Sequence, residues 1–101
     1  MIVASFARMR VMKTNEKELA HILRSLANPR RLAALRFIKQ KKTVSVGEVA
    51  SHLKLSFKAT SKHLFRLIGT GMIEKEQKSK FVYVSIAHDL PTAGKSILQM
   101  L

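Results

Sequence analysis

The stretch from Ser45 to His63 constrains this chain more than any other: Ser-Val-Gly-Glu-Val-Ala-Ser-His-Leu-Lys-Leu-Ser-Phe-Lys-Ala-Thr-Ser-Lys-His. Ser45 with Glu48 three residues on is the signature of a reciprocal helix cap. Val46, Val49, Ala50 and Leu53 then recur at helical spacing. Lys54-Leu55 turns the chain, and Ser56 caps a longer helix running from Phe57 to about Thr70. Thr60, Leu64, Leu67 and Ile68 form its inner stripe, and Gly71 suits the left-handed residue that ends it. Two capped helices joined so tightly form a helix-turn-helix over residues 45–70, with short polar and basic side chains left on the outside of the second helix.

The segments on either side complete the pattern. Asn15 and Glu18 read as a capping box for a helix from about Glu16, with Leu19, Ile22, Leu23 and Leu26 in one stripe. Asn28-Pro29 stops that helix and starts another, Arg30 to about Gln40, which buries Leu32, Leu35, Phe37 and Ile38. Thr43-Val44 can be briefly extended. After Gly71 the period changes from helix to strand, with strands expected over 72–77 and 80–86 around a Lys78-Ser79 turn. Pro91 to Leu101 reads as a short helix with Ala93, Ile97, Met100 and Leu101 on one side. The expectation is a mainly α fold with a small β-hairpin, a winged helix-turn-helix ordered α-α-(β)-α-α-β-β-α. It occupies residues 1–101 as one domain: an arm or helix at 1–13, a core at 16–86 with its wing at 72–86, and a last helix at 91–101.

Composition narrows the partner. Lys and Arg number 19 against 6 Asp and Glu, a formal charge of +13, which suits a polyanion. With no cysteine, disulfides, thiolate switches and Cys-based zinc sites are excluded. No apolar run approaches bilayer length and the N-terminus lacks a signal-peptide core, so a cytoplasmic protein is expected, without membrane attachment. The few carboxylates read as caps or strand charges, and no nucleophile and base converge, so an enzyme is not expected and no cofactor is implied.

If Thr60, Leu64 and Leu67 face inward, then Lys58, Ser61, Lys62 and Phe65 share the opposite face at i, i+3, i+4 and i+7. Lys58, Ser61 and Lys62 lie toward the end of the helix that meets base edges in the major groove of double-stranded DNA. Ser56 can cap and also offer backbone amides to a phosphate. Thr60 is counted with the candidate contacts, although its methyl can equally pack inward. His63 either contacts phosphate or is hydrogen-bonded within the domain. Phe65 is an aromatic where an exposed residue is expected, and it is assigned to cover of the second helix or hairpin rather than to DNA. Lys75, Lys78 and Lys80 make the hairpin a wing on the backbone or minor groove, against the alternative of a solvated edge blunted by lysine. Arg30, Arg31 and Lys54 add candidate phosphate contacts. His21, His52 and His88 are scattered and imply no metal cluster.

Leu26-Ala27-Asn28-Pro29-Arg30-Arg31-Leu32, Ser61-Lys62-His63-Leu64 and Gly71-Met72-Ile73 together resemble the ArsR-type winged-helix transcription regulators, over roughly Leu19 to Ile86. The resemblance implies a homodimer built on the first and last helices, and most often a repressor of its own operon released by a metal or other signal. Ser45 and Gly47 stand where that family's third-helix thiolate site would be, and no His follows His88-Asp89. Metal sensing is therefore not carried over, and no effector is specified. Surplus apolar residues agree with a two-fold dimer: Phe6 and Met9 near the start, and Ile97, Met100 and Leu101 at the end, are expected at its interface, against the alternative that the last helix folds onto its own domain. Such a dimer would read a near-palindromic operator. The rival reading is a nonspecific architectural nucleic-acid binder; a protein-interaction module that leaves DNA alone is disfavoured by the lysine-rich helix and wing.

Overall fold

The computed structural model describes residues 15–101, so the arm and the Phe6 and Met9 expectations lie outside the described residues. The elements run α1 (Glu16–Leu26), α2 (Pro29–Lys41), β1 (Thr43–Ser45), α3 (Val46–Leu53), α4 (Phe57–Gly69), β2 (Ile73–Lys78), β3 (Phe81–Ile86) and α5 (Thr92–Gln99). This is the winged helix-turn-helix, in the expected order.

Every helix start from α1 to α4 is fixed by a side chain read from the sequence. Asn15 Oδ1 accepts from Glu18 N at 2.8 Å, and Asn28 Oδ1 accepts from Arg30 N and Arg31 N. Ser45 and Glu48 form the full reciprocal box, each side chain accepting from the other's backbone amide at 3.1 Å. Ser56 Oγ accepts from Ala59 N at 3.0 Å. The turn between α3 and α4 is made by Lys54, in the left-handed conformation, whose amide donates back to α3 carbonyls.

A three-stranded antiparallel sheet in the order β1-β3-β2 closes one side. Its register pairs Lys78 with Phe81, so the turn falls on Ser79-Lys80, one residue later than the spacing suggested. Ser79 takes the positive φ of that turn, and this register sets Ile73 opposite Ile86, while the separate β1–β3 pairing sets Val44 opposite Val84. Leu35 and Ile38 of α2, Val44, Val49 of α3, Leu64 and Leu67 of α4, Met72 and Val84 meet in one fully buried core.

The last helix, expected at a two-fold interface, also has a place on its own domain, which was the alternative reading. It docks on its own domain through Gly94 and Leu98, both buried, and Lys39 Nζ donates to Leu98 O at 3.0 Å. Gly94 permits the approach: a Cβ there would stand 2.2 Å from Met72 Sδ. Ile97 and Leu101, expected to face a partner, are half-buried against this domain's core, whereas Met100 is exposed. In α1, Leu26 and Ile22 turn inward while Leu19 and Leu23 stay exposed.

Thr60 is also corrected. It is fully buried among the core side chains, and its Oγ1 finds no hydrogen-bond partner. A base cannot reach it, and a buried hydroxyl without a partner costs about 1–3 kcal/mol. Thr60→Val keeps the shape and removes that cost. Thermal unfolding should show the variant more stable by about 1 kcal/mol, a rise of roughly 4–8 °C in Tm; a lower Tm would mean that the hydroxyl is satisfied in solution.

Candidate nucleic-acid interface

The outward face of α4 follows from its inner stripe. With Thr60, Leu64 and Leu67 buried, Lys58 and Lys62 are exposed and Ser61 and His63 half-exposed. Phe57, Lys58, Ser61, Lys62, His63, Phe65 and Arg66, with Arg31 from α2, line one open groove along this helix. Ser56 sits at its start as the cap. Of the α4 residues expected at the interface, all but Thr60 are brought to this surface.

The wing lysines, expected as a set, are divided by the pleat. Cross-strand partners share a face, so Lys75, opposite Val84, lies on the face turned to α4. There it lines a cleft with Ser61, Phe65, Val82 and Val84. Lys78, opposite Phe81, lies on the other face and pairs with Glu76 at 3.5 Å. Both side chains of that pair are mostly exposed, where such pairs are worth little. Lys80 is in the turn itself. Phe81 is exposed at the same tip, its ring edge-on to Tyr83.

Arg31 and His63 belong to a brace that the sequence left open. Arg31 Nε donates to Ser25 O, its Nη2 reaches Arg24 O, and its Nη1 lies 3.3 Å from His63 Nδ1. A guanidinium only donates, so Nδ1 accepts and the His63 proton sits on Nε2. Arg31 is thus committed to the domain and is not a free phosphate contact. Ser25 Oγ in turn meets Thr70 Oγ1 at 3.1 Å, both residues buried, while Thr70 also bonds the last carbonyls of α4. Sequence reasoning passed over Ser25 and Thr70, because their contact joins residues 45 apart and neither hydroxyl is marked by its local spacing.

Two of the remaining histidines are engaged singly. His52 stacks on Phe37 with centroids 4.0 Å apart, and His88 Nδ1 lies 3.1 Å from Glu74 Oε2. Among the described residues no group of three or more potential ligands converges on a metal position, and no helix is long and apolar enough to cross a membrane.

Comparison with known proteins places this geometry. The family model described as "Bacterial regulatory protein, arsR family" matches residues 28–75, which include α2, the helix-turn-helix and the start of the wing. The transcriptional activator HlyU of Vibrio cholerae is 30% identical over 90 residues, covering 89% of this chain and 80% of that protein. A solved structure of HlyU from Vibrio cholerae superposes with a TM-score of 0.73 at 29% identity, covering 88% of this chain and 92% of that one. A winged helix-turn-helix DNA-binding domain from Mycobacterium bovis, solved by NMR as a homodimer, shares the fold with a TM-score of 0.71 at 22% identity, covering 87% and 82%.

Burial first, then the positive charges of Arg31 and Arg30, hold the His63 imidazole below its ordinary value of 6.5. The unfolded chain therefore takes up this proton at higher pH than the folded one. The stability contribution is fully present above pH 6.5 and is lost as pH falls from there through the folded value. Chemical denaturation of the native protein and of His63→Gln at pH 7.5 and 5.5 should show the native protein losing more stability on acidification. Equal losses would mean that His63 is not held neutral by its surroundings.

Proposed function

We propose, for a chain that belongs to the ArsR family of bacterial regulatory proteins and is on that ground a transcriptional regulator and not an enzyme, that it is a sequence-specific repressor acting as a two-fold dimer on double-stranded DNA. The observation that carries this is the outward face of α4, where Lys58, Ser61 and Lys62 stand together on a helix set for the major groove. Ser61 and Lys62 read base edges. Lys58, Lys75, Lys80 and the Nε2–H of His63 hold phosphates, with Ser56 presenting the amides of the first turn; Lys78 contributes from the far face of the wing.

The dimer reading rests on the exposed apolar side chains of Leu19 and Leu23 in α1 and of Met100 just after α5, and on the homodimer of the Mycobacterium bovis domain. Ile97 and Leu101 keep part of their surface for that interface, and Phe6 and Met9 complete the proposed set. A two-fold pair sets its α4 helices roughly 34 Å apart, one turn of DNA, which calls for a near-palindrome. Repression needs only occupancy of such a site. The name of HlyU favours a second reading, activation, and a reporter fused to the bound promoter separates the two by the sign of the change when this chain is expressed.

The deciding titration uses the gene's own upstream DNA and a scrambled duplex of the same length, followed by fluorescence anisotropy at near-physiological salt. A preference of roughly 10³ or more for the native duplex is expected. Equal, salt-sensitive binding to both would instead favour an architectural protein, and no binding would sink the proposal. Lys62→Ala should cost roughly 1–3 kcal/mol and relax base preference, whereas Lys75→Ala should weaken all duplexes alike and lower the salt slope by about 1 per subunit. Leu23→Glu combined with Met100→Glu should convert the dimer to a monomer in analytical ultracentrifugation; an unchanged sedimentation coefficient would place the interface elsewhere.

A further inference from the structure

The outward face of α4 carries two parallel rows at i, i+4, i+8 spacing. Lys58, Lys62 and Arg66 make a basic one; Phe57, Ser61 and Phe65 make the other. Phe57 is 60% and Phe65 74% exposed. Neither ring packs away under α2 or the wing, so Phe65 does not provide the cover expected of it. Both line the cleft of about 200 Å³ that separates α4 from the wing, and Lys75 enters that cleft from the opposite wall. Two large apolar rings are thus held in water inside a frame of positive charge.

An occupant that satisfies both features is polyanionic along its edges and apolar at discrete points between them. The major groove has this character wherever thymine is present, because the C5-methyl is the one apolar group that a base pair displays there. We propose that Phe65, with Phe57 beside it, reads thymine C5-methyl groups in each half-site, making these two phenylalanines specificity-determining residues beside Ser61 and Lys62. The inference rests on the major-groove reading of α4 given above. It explains why aromatic side chains occupy exposed positions on this helix. Phosphates on either side meet the lysines and Arg66, while the rings, which have no hydrogen-bonding atoms, select bases by the methyl alone. Serine between the two rings leaves room for a base edge to approach the helix.

The test begins with selection of tight-binding duplexes from a random-sequence pool by the full-length protein. Each thymine of the enriched duplex is then replaced by deoxyuridine, which removes the methyl and keeps the pairing. Affinity should fall about fourfold for each methyl that is buried, the factor that corresponds to one methyl-sized apolar group leaving contact. Phe65→Ala should bind the thymine and uracil duplexes equally, and Phe65→Leu should recover part of the discrimination. Phe65 is exposed, so truncation takes nothing from the core, and a thermal melt confirms that each variant is folded. Equal binding of both duplexes by the native protein would overturn the inference while leaving sequence-specific recognition standing. A thymine preference that survives in Phe65→Ala and Phe57→Ala would overturn it too. Failure of any duplex to be enriched would remove the sequence-specific reading and this inference together. Phe65-dependent binding to phosphatidylserine vesicles, without discrimination between the two duplexes, would reassign the aromatic row to a membrane surface.

Discussion

Everything that α4 can present depends on how it is tied to the helices behind it, and that tie passes through Ser25. Its hydroxyl meets Thr70 at the end of α4, and its carbonyl receives Arg31, whose guanidinium continues to His63 in the middle of the same helix. Apolar packing of Leu64 and Leu67 sets the depth of α4 but permits small rotations and slides, because dispersion contacts are non-directional. Two hydrogen-bonded anchors about two turns apart remove that freedom. Base recognition by side chains requires placement to a fraction of an ångström, and such placement comes from supporting contacts of this kind. Buried polar contacts are costly unless paired, and Ser25 and Thr70 pair with each other and with helix carbonyls.

The same network changes how the basic charge is understood. A formal +13 invites the assumption that every cation serves a polyanion. Arg31 instead holds α1 to α4, Lys39 caps the carbonyl end of α5, and Lys41 lies over the Phe37 ring that His52 stacks upon. Lys78 has Glu76 beside it, an exposed pair worth too little to tie it down. Lys58, Lys62, Arg66 and Lys75 remain around the groove and cleft of α4, concentrated where the aromatic row is exposed. Position, more than total charge, distinguishes a reading surface from a generally basic coat.

Local rules carried most of the fold into view. Asn15, Asn28, Ser45 and Ser56 each act as the cap that their spacing suggested, because an N-cap hydrogen bond spans only two or three residues and is complete within the sequence window. The inner face of α4 was legible for the same reason. What escaped was decided between distant segments. The hairpin turn moved by one residue because register is set by pairs such as Ile73 meeting Ile86 across strands, not by the turn residues alone. The left-handed residue before α4 is Lys54, where glycine would have announced it. Gly94 gave no signal in the α5 pattern, yet it brings that helix against Met72 and draws Ile97 and Leu101 toward the core. At the site, the division of the wing lysines follows from pleating and was implicit in the strand parity. The Ser25–Thr70 contact joins residues 45 apart in sequence, and nothing local marks it.

A basic regulator faces an energetic difficulty that its reading face must resolve. Phosphate contacts favour every duplex alike, so each added lysine strengthens binding to the wrong DNA as much as to the right one. Discrimination then rests on a few base contacts, each worth roughly 1–3 kcal/mol. On the proposed reading, one helix with Ser61, Lys62 and two aromatic rings offers about a thousandfold preference per half-site, which alone would be lost among competing sites. In the proposed dimer, two half-sites read by a rigid pair multiply those factors, to about 10⁶, provided that neither helix shifts to improve its own fit at the other's expense. Apolar contacts to methyl groups suit this arrangement. They add preference without adding charge, so specificity rises while the affinity for random duplex does not.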